Sequence, residues 1–159
     1  MKSSSIIRAA SLSLLLAALA QPASAQLLDK KGMSLAEAKK VAAAAEAEAR
    51  KNNWNVVIAV LDEGGNIVYL QRMDETQTGS VQVAIDKAKS SVDFKRPTKA
   101  FEDALVGGRQ AILVLRGASP IEGGIPLMSG GKLVGAIGVS GVTSAQDGQI
   151  AKAGADTVK

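Results

Sequence analysis

The stretch GGIPLMSGGKLVGAIGVSG, residues 123–141, decides how this chain folds. Its branched and long apolar side chains predict two β-strands, Ile125 to Met128 and Lys132 to Val139, joined by a turn at Ser129-Gly130-Gly131. Yet seven of these nineteen residues are glycine, which weakens a strand interior because it has no side chain to pack. So many glycines inside a sheet need a structural reason.

The glycines fall into two groups that predict different structures. Gly123-Gly124 and Gly130-Gly131 are typical of turns that require a positive φ. Gly135, Gly138 and Gly141 lie in or at the end of a strand, where glycine indicates a bulge or the close approach of a helix, a ligand or another subunit. We expect these three to pack against the alanine-rich first helix or against a second chain.

Upstream of this stretch, the apolar pattern alternates between strands and helices. Val56 to Leu61 and Ile67 to Leu70 flank the turn residues 62–66 and predict a β-hairpin. The apolar run Ala111 to Leu115 predicts a third strand, so the sheet has about five strands in all.

Four helices complete the prediction. Ser34 and Glu37 fit a capping box that begins an alanine-rich helix ending near Arg50, and Ser144 with Asp147 resembles a second capping box before a helix to about Thr157. Between them, Ser80 to Phe94 shows helical spacing of apolar residues, and Thr98 is placed to cap a short helix through Leu105. The order α-β-β-α-α-β-β-β-α predicts an α+β fold in which helices flank a central, mostly antiparallel sheet.

The first 25 residues have the layout of a secretory signal peptide. Lys2 and Arg8 precede an apolar run from Ala9 to Ala20, and Ala23-Ser24-Ala25 fits a cleavage signal before Gln26. The run is too short for a bilayer, which needs about 20 apolar residues. We therefore expect residues 26–159 to form a single mature domain, without a membrane span, in the periplasm or outside the cell.

Composition excludes several classes of function. The whole chain has a formal net charge of +4, of which Lys2 and Arg8 would leave with the signal peptide, and its aromatic content is only 3%. Nucleic acid is therefore not an expected partner, because neither a basic stripe nor a stacking surface is present. The sequence has no cysteine and no histidine, which excludes a Ser-His-Asp triad and histidine-ligated or thiolate-ligated metals. We predict no metal site and no catalytic residue.

Four segments in their order resemble a known family. They are LDEGGNIVYLQRMDE, GSVQVAIDKAKSSVDFKRPT, PIEGGIPLMSGGKLVGAIGVSG, and Gln146-Asp147 followed by Ala151 and Gly154. Together they resemble the GlcG/HbpS family of haem-binding proteins, and the carboxy-terminal domain of PduO-type proteins is similar too. The resemblance implies a profilin-like fold, assembly into homo-oligomers, and haem as a possible cofactor.

The resemblance also suggests which residues would hold haem. A haem-binding member of the family uses a threonine as axial ligand, and Thr98 in the segment FKRPT is the nearest match, although the same hydroxyl is also placed to cap a helix. Met73 offers a thioether, as does Met128, and Tyr69 offers a phenolate. Arg96 and Lys87 are candidate partners for the propionates, and Phe94 is a candidate apolar wall.

Two other functions remain open from the sequence. One is a binding module for another small acidic metabolite, with Arg96 and Thr98 as its site. The other is an isomerase or lyase acting on a small hydroxy acid, with Asp62, Asp74 or Lys87 as the base. A perturbed pKa in a cleft would favour the enzyme.

Overall fold

The structure is a computed structural model that describes residues 30–159, so the predicted signal peptide and its cleavage site lie outside the described residues. Residues 31–159 cluster as one unit. No helix in this part of the chain has the length and apolar character needed to cross a bilayer. The elements, in chain order, are α1 (Leu35–Lys51), β1 (Val57–Asp62), β2 (Ile67–Arg72), α2 (Ser80–Phe94), α3 (Lys99–Val106), a 3-10 helix (Gln110–Val114), β3 (Gly124–Ser129), β4 (Lys132–Ser140) and α4 (Ser144–Ala155).

The four strands form one antiparallel sheet in the order β2-β1-β4-β3. Alternate residues of β1 point to opposite faces, as the period of a strand requires. Val56, Ile58 and Val60 pack with residues of α1 and α4 on one face, whereas Val57 and Ala59 pack with α2 on the other. This arrangement confirms the α+β, profilin-like fold, with four strands rather than about five.

The predicted strand Ala111 to Leu115 is wrong. Gln110–Val114 is a 3-10 helix that contacts α3 and pairs with no strand. The central strand β4 already has β1 on one side and β3 on the other, so the apolar run finds no free position there. An apolar run alone cannot distinguish a strand from other apolar structure.

One predicted helix cap is confirmed and another lies at a different residue. Ser34 caps α1 as expected, since its hydroxyl accepts a hydrogen bond from the Glu37 N–H at 3.2 Å. The capping box of α4 is formed by Thr143 and Gln146, one residue earlier than the predicted pair Ser144 and Asp147. Asp147 is instead buried, where its carboxylate has a different partner.

The glycines of β4 are explained by close contacts. A Cβ at Gly138 would lie against the carbonyl oxygen of Ala84 and 2.6 Å from the Ala88 nitrogen, so only glycine lets α2 lie this close to the sheet. The predicted helix contact is therefore confirmed at Gly138, but the helix is α2 and not the alanine-rich α1. The small residues of α1 serve a different contact, because Ala45 lies against Gly154 of α4.

Candidate functional site

The turn between α2 and α3 brings together two aromatic rings and a cation. The rings of Phe94 and Phe101 meet edge to face, with centroids 5.1 Å apart and planes at 75°. The guanidinium carbon of Arg96 lies 5.5 Å from the centroid of the Phe101 ring, within the range of a cation–π interaction. Arg96 is exposed, and its Nε donates to the Phe94 carbonyl at 3.3 Å. We refer to residues 94–101 as the corner.

Thr98 anchors the corner to the sheet. Its N–H donates to the Gly124 carbonyl at 3.0 Å, and its Oγ1 accepts the Gly124 N–H at 2.9 Å. Thr98 stands at the N-cap position of α3, but its side chain makes no capping hydrogen bond, so the predicted cap is wrong. The residue is fully buried, with 0% exposure. Only glycine fits at position 124 beside Thr98, because a Cβ there would lie 2.7 Å from Cγ2 of Thr98.

A cavity opens next to the corner, between α2 and the loop that follows the 3-10 helix. Its volume is about 440 Å³, and its walls are formed by Asp86, Lys89 and residues 117–120. Gly117 lies between the cavity and the corner, since a Cβ placed on this glycine would be 3.9 Å from the ring of Phe94. A volume of this size is within the usual range for small-molecule sites.

An exposed apolar surface lies on α3 and the 3-10 helix. Val106, Leu113 and Val114 are 83%, 65% and 85% exposed. We call these three residues the apolar surface. Arg109 and Arg116 are exposed residues close to it in the chain, and neither makes an ion pair with another residue in the range 30–159. Large exposed apolar patches often mark sites of interaction.

The second polar feature is a buried ion pair between α2 and α4. The Nζ atom of Lys87 lies 2.8 Å from the carboxylate of Asp147, and it also donates to the Val139 carbonyl at 3.0 Å. Lys87 is 1% exposed and Asp147 2%. Burial raises the pKa of Asp147, and the hydrogen bond and charge of Lys87 act in the opposite direction.

A backbone turn lies directly over this ion pair. Gly123 has a φ of +128°, which favours glycine, and a Cβ there would lie 2.8 Å from Nζ of Lys87 and 2.9 Å from Cβ of Asp147. Its neighbour Glu122 has its side chain against Gly148 of α4, and burial raises the pKa of Glu122 although the Lys99 ammonium opposes the shift. Lys87 is therefore part of a closed polar interior that positions the start of β3.

Met73 and Tyr69 lie on the other side of the sheet. Both belong to the packing of the cluster between the sheet and α1, where Met73 is 7% exposed. The Tyr69 hydroxyl donates to the Gln71 side chain at 3.3 Å. Met128 is exposed near the far end of β3.

The structure therefore brings together some of the predicted site residues. Phe94, Arg96 and Thr98 share the corner, and Lys87 comes close to Thr98 only through the backbone around Gly124. Met73 does not join them. The predicted roles of all five residues toward a cofactor stay predictions.

Sequence reasoning missed Asp147 as the partner of Lys87, because 60 positions separate the two residues. The sequence contains little signal for this pair, since Lys87 lies beside the apolar stripe of its predicted helix and not within it, and a lysine in that position normally faces water.

Asp62, one of the three side chains suggested as an enzyme base, holds a turn together by hydrogen bonds. Although partial burial raises the pKa of Asp62, hydrogen bonds from Asn66, Gly64 and Gly65 lower it on balance. The carboxylate accepts the Gly64 N–H at 2.9 Å and the Asn66 N–H at 2.8 Å. This geometry favours a structural role for Asp62 in the β1–β2 hairpin.

The structure is a small α+β domain with a cavity of about 440 Å³ on the α2 side of a four-stranded antiparallel sheet. The family model described as haem degrading protein HbpS-like matches residues 33–156, and the chain belongs to this family. It is 41% identical to protein GlcG of Escherichia coli K12 over 100 residues, which cover 63% of this chain and 75% of GlcG.

Two solved structures support the same assignment. A double mutant of HbpS from Streptomyces reticuli superposes with a TM-score of 0.76 at 30% identity, covering 88% of this chain and 98% of that one. A PduOC:haem complex superposes with a TM-score of 0.73 at 26% identity, covering 80% of this chain and 96% of the other.

Proposed function

We propose that this chain binds haem at the corner and the adjacent cavity, as an exported haem-handling protein with an accessory or redox-sensing role. The observation that carries the proposal is that Gly117 of the cavity wall lies next to the ring of Phe94, which pairs with Phe101 under the Arg96 guanidinium. Membership of the HbpS-like family and the likeness to a haem complex of PduOC support it.

The residues of the site fit the porphyrin part of haem. A porphyrin offers a flat apolar face and two carboxylates at one edge. Phe94 and Pro120 offer apolar contacts near the cavity, and Lys89 forms part of its wall. Arg96 is exposed, and its planar fork matches a carboxylate with two parallel hydrogen bonds. Lys87 is less suited to a propionate because Asp147 already holds its ammonium.

A hemin titration of residues 26–159, followed by the Soret band, tests the proposal. Arg96→Gln is expected to weaken binding by about tenfold, the value of one charge-assisted hydrogen bond. Lys132→Gln is a matched control, since Lys132 is an exposed cation at the start of β4, away from the corner. Absence of a saturable shift in the folded protein would refute haem binding.

Export is part of the proposal and has its own test. The full chain, expressed in a bacterial host with two membranes, is expected in the periplasm or the medium, with a mature amino terminus at Gln26. Amino-terminal sequencing of the fractionated protein measures this directly. An intact Met1 terminus in the cytoplasmic fraction would contradict it.

We also propose that the chain forms homo-oligomers in which a second copy covers the apolar surface. Val106 and Val114 expose more than four fifths of their area in the single chain. Exported monomers rarely leave such side chains together in water, because apolar contact with water is unfavourable. Light scattering after size exclusion measures the mass, and a single-chain mass at micromolar concentration would refute the proposal.

A further inference from the structure

We infer that a second cavity, on the face of the sheet that packs against α1, binds a small aliphatic monocarboxylate. Its volume is about 460 Å³, which is within the usual range for small-molecule sites. It lies between the start of α1, the β3–β4 turn and the residues that follow α4. The cavity beside the corner lies on the α2 side of the sheet, so this inference does not rest on haem binding.

The floor of this second cavity is apolar. Met33, Val134 and Val158 line it, and all three belong to the core cluster between the sheet and α1 or pack against it. A ligand with a hydrocarbon chain is favoured at such a floor, because carbon atoms that contact it are removed from water. The unbranched side chain of Met33 can adapt to the shape of that chain.

Hydrogen bonds between distant segments hold the walls of the second cavity in place. The Nζ atom of Lys40 in α1 donates to the Thr157 carbonyl at 3.1 Å. At the β3–β4 turn, the Ser129 hydroxyl donates to the main-chain oxygen of Lys159 at 2.6 Å. The three segments are thus connected without a ligand, so binding does not have to order them, and a preformed site loses less affinity to ordering.

The cations at the second cavity favour an anionic ligand. Lys31 and Lys159 line it and are exposed, and neither forms an ion pair with another residue in the range 30–159. The Lys31 ammonium lies over the β3–β4 turn, 3.8 Å from the position of a Cβ on Gly130. Both ammonium groups can donate charge-assisted hydrogen bonds to a carboxylate.

An acidic side chain in the same wall favours a ligand with a single negative charge. Glu37 lines the second cavity, and its carboxylate lies 3.0 Å from Nζ of Lys40, which is therefore already engaged. A phosphate or a dicarboxylate would be repelled more strongly by Glu37 than a monocarboxylate. The apolar floor and the two lysines together fit a monocarboxylate with a short hydrocarbon chain.

NMR titrations of the ¹⁵N-labelled mature chain test this inference with three probes. Hexanoate carries the carboxylate and the chain, acetate lacks the chain, and 1-hexanol lacks the charge. We expect saturable amide shifts from hexanoate at Met33, Val134 and Val158. Acetate should bind at least tenfold more weakly, since each buried methylene strengthens binding by about fourfold. 1-Hexanol should bind about tenfold more weakly, the value of one charge-assisted hydrogen bond.

Two lysine variants on either side of α1 form a matched pair. Lys31→Gln should weaken hexanoate binding by about tenfold and leave 1-hexanol binding unchanged. Lys51→Gln removes an exposed lysine at the other end of α1, about 24 Å from Leu35 at the rise of a helix, and should change neither. An equal loss of hexanoate affinity in both variants would reveal a non-specific charge effect and overturn the inference.

The outcomes of the titrations are distinct from those of the hemin experiment. Absence of saturable hexanoate binding to the folded chain would overturn the inference, as would shifts confined to the α2 side around Phe94 and Gly117. Binding of 1-hexanol as tight as that of hexanoate would exclude recognition of the carboxylate. None of these results bears on haem binding, which the Soret titration decides separately. Hexanoate shifts at Val134 and Val158 in the unmodified chain, lost in Lys31→Gln, would support the second site.

Discussion

Removing one partner of the buried Lys87–Asp147 pair is predicted to destabilise the fold far more than removing both. In the unmodified chain the Lys87 ammonium is 1% exposed, and in Asp147→Ala the Val139 carbonyl is its remaining acceptor. Leaving a buried charge without its counterion costs about 3–5 kcal/mol. Since a domain of this size has about 5–15 kcal/mol of stability in total, this single change removes a large part of it.

The double variant separates the ion pair from the space that it occupies. Lys87→Met keeps an unbranched chain of similar length, and Asp147→Leu fills the position of the carboxylate with carbon. Replacing a buried ion pair by apolar side chains of similar volume is often neutral or stabilising. The double variant is therefore expected within about 1.5 kcal/mol of the unmodified chain, the range for well-tolerated core replacements.

The two single variants should also differ in their pH dependence. In Lys87→Met the carboxyl of Asp147 can take up a proton, and burial already raises its pKa. This variant should therefore recover stability as the pH falls through the pKa of the buried acid. Asp147→Ala has no such route, because the carboxyl group that would take up the proton is gone.

Urea unfolding followed by far-UV circular dichroism measures these free energies, and the single tryptophan, Trp54, gives a second probe in its fluorescence. Asp103→Ala is the control, because the Lys99–Asp103 pair is exposed, at 47% and 62%, and such pairs contribute about 0–1 kcal/mol. A loss below about 1 kcal/mol in Asp147→Ala, or a double variant as unstable as Asp147→Ala, would refute the reasoning.

Three further changes test other parts of the structure. Burial raises the pKa of Glu122, so its ionised form lowers the stability of the fold above that pKa. Glu122→Gln should therefore have a higher melting temperature than the unmodified chain at pH 8, and the difference should vanish below about pH 4. Thermal unfolding at a series of pH values measures this. Gly138→Ala should lose about 1–3 kcal/mol in urea unfolding because the methyl group meets the backbone of α2, whereas Gly79→Ala, which has open space, should change little. Val114→Ser should shift the mass in light scattering toward a single chain while the melting temperature changes by less than a few degrees, and an unchanged oligomer would exclude Val114 from the interface.

The fold was largely predictable because its signals are local. Helical spacing in Ser80–Phe94 and the two hairpins follow from residues within about fifteen positions of each other, and the structure confirms them. The run Ala111 to Leu115 was misassigned because its apolar composition does not determine which part of the protein it packs against. In the single chain these side chains are mostly exposed, so their preference for strands has no sheet to act in.

The candidate site was predictable only in part, because its contacts join distant segments. Phe94, Arg96 and Thr98 lie within five consecutive residues, and they come together as expected. The partners that decide what they do, Gly124 for Thr98 and Asp147 for Lys87, lie 26 and 60 positions away. Without those partners, Thr98 and Lys87 both look available to a ligand, and the structure shows that each is already engaged.

The glycine-rich strand and the buried polar contacts act on the same element, α2. Gly138 sets how close α2 lies to the sheet, while the Lys87–Asp147 pair and the Thr98–Gly124 hydrogen bonds fix its position along β4 and β3. Apolar contact alone tolerates sliding, whereas a buried ion pair and paired backbone groups do not, because displacement leaves them unsatisfied. These buried polar contacts therefore fix where Arg96 and Phe94 of the corner lie relative to the sheet. For this reason Asp147→Ala and Lys87→Met should weaken porphyrin binding even where the protein remains folded. Neither Lys87 nor Asp147 lies on the surface of the cavity, so the effect would act through the position of α2.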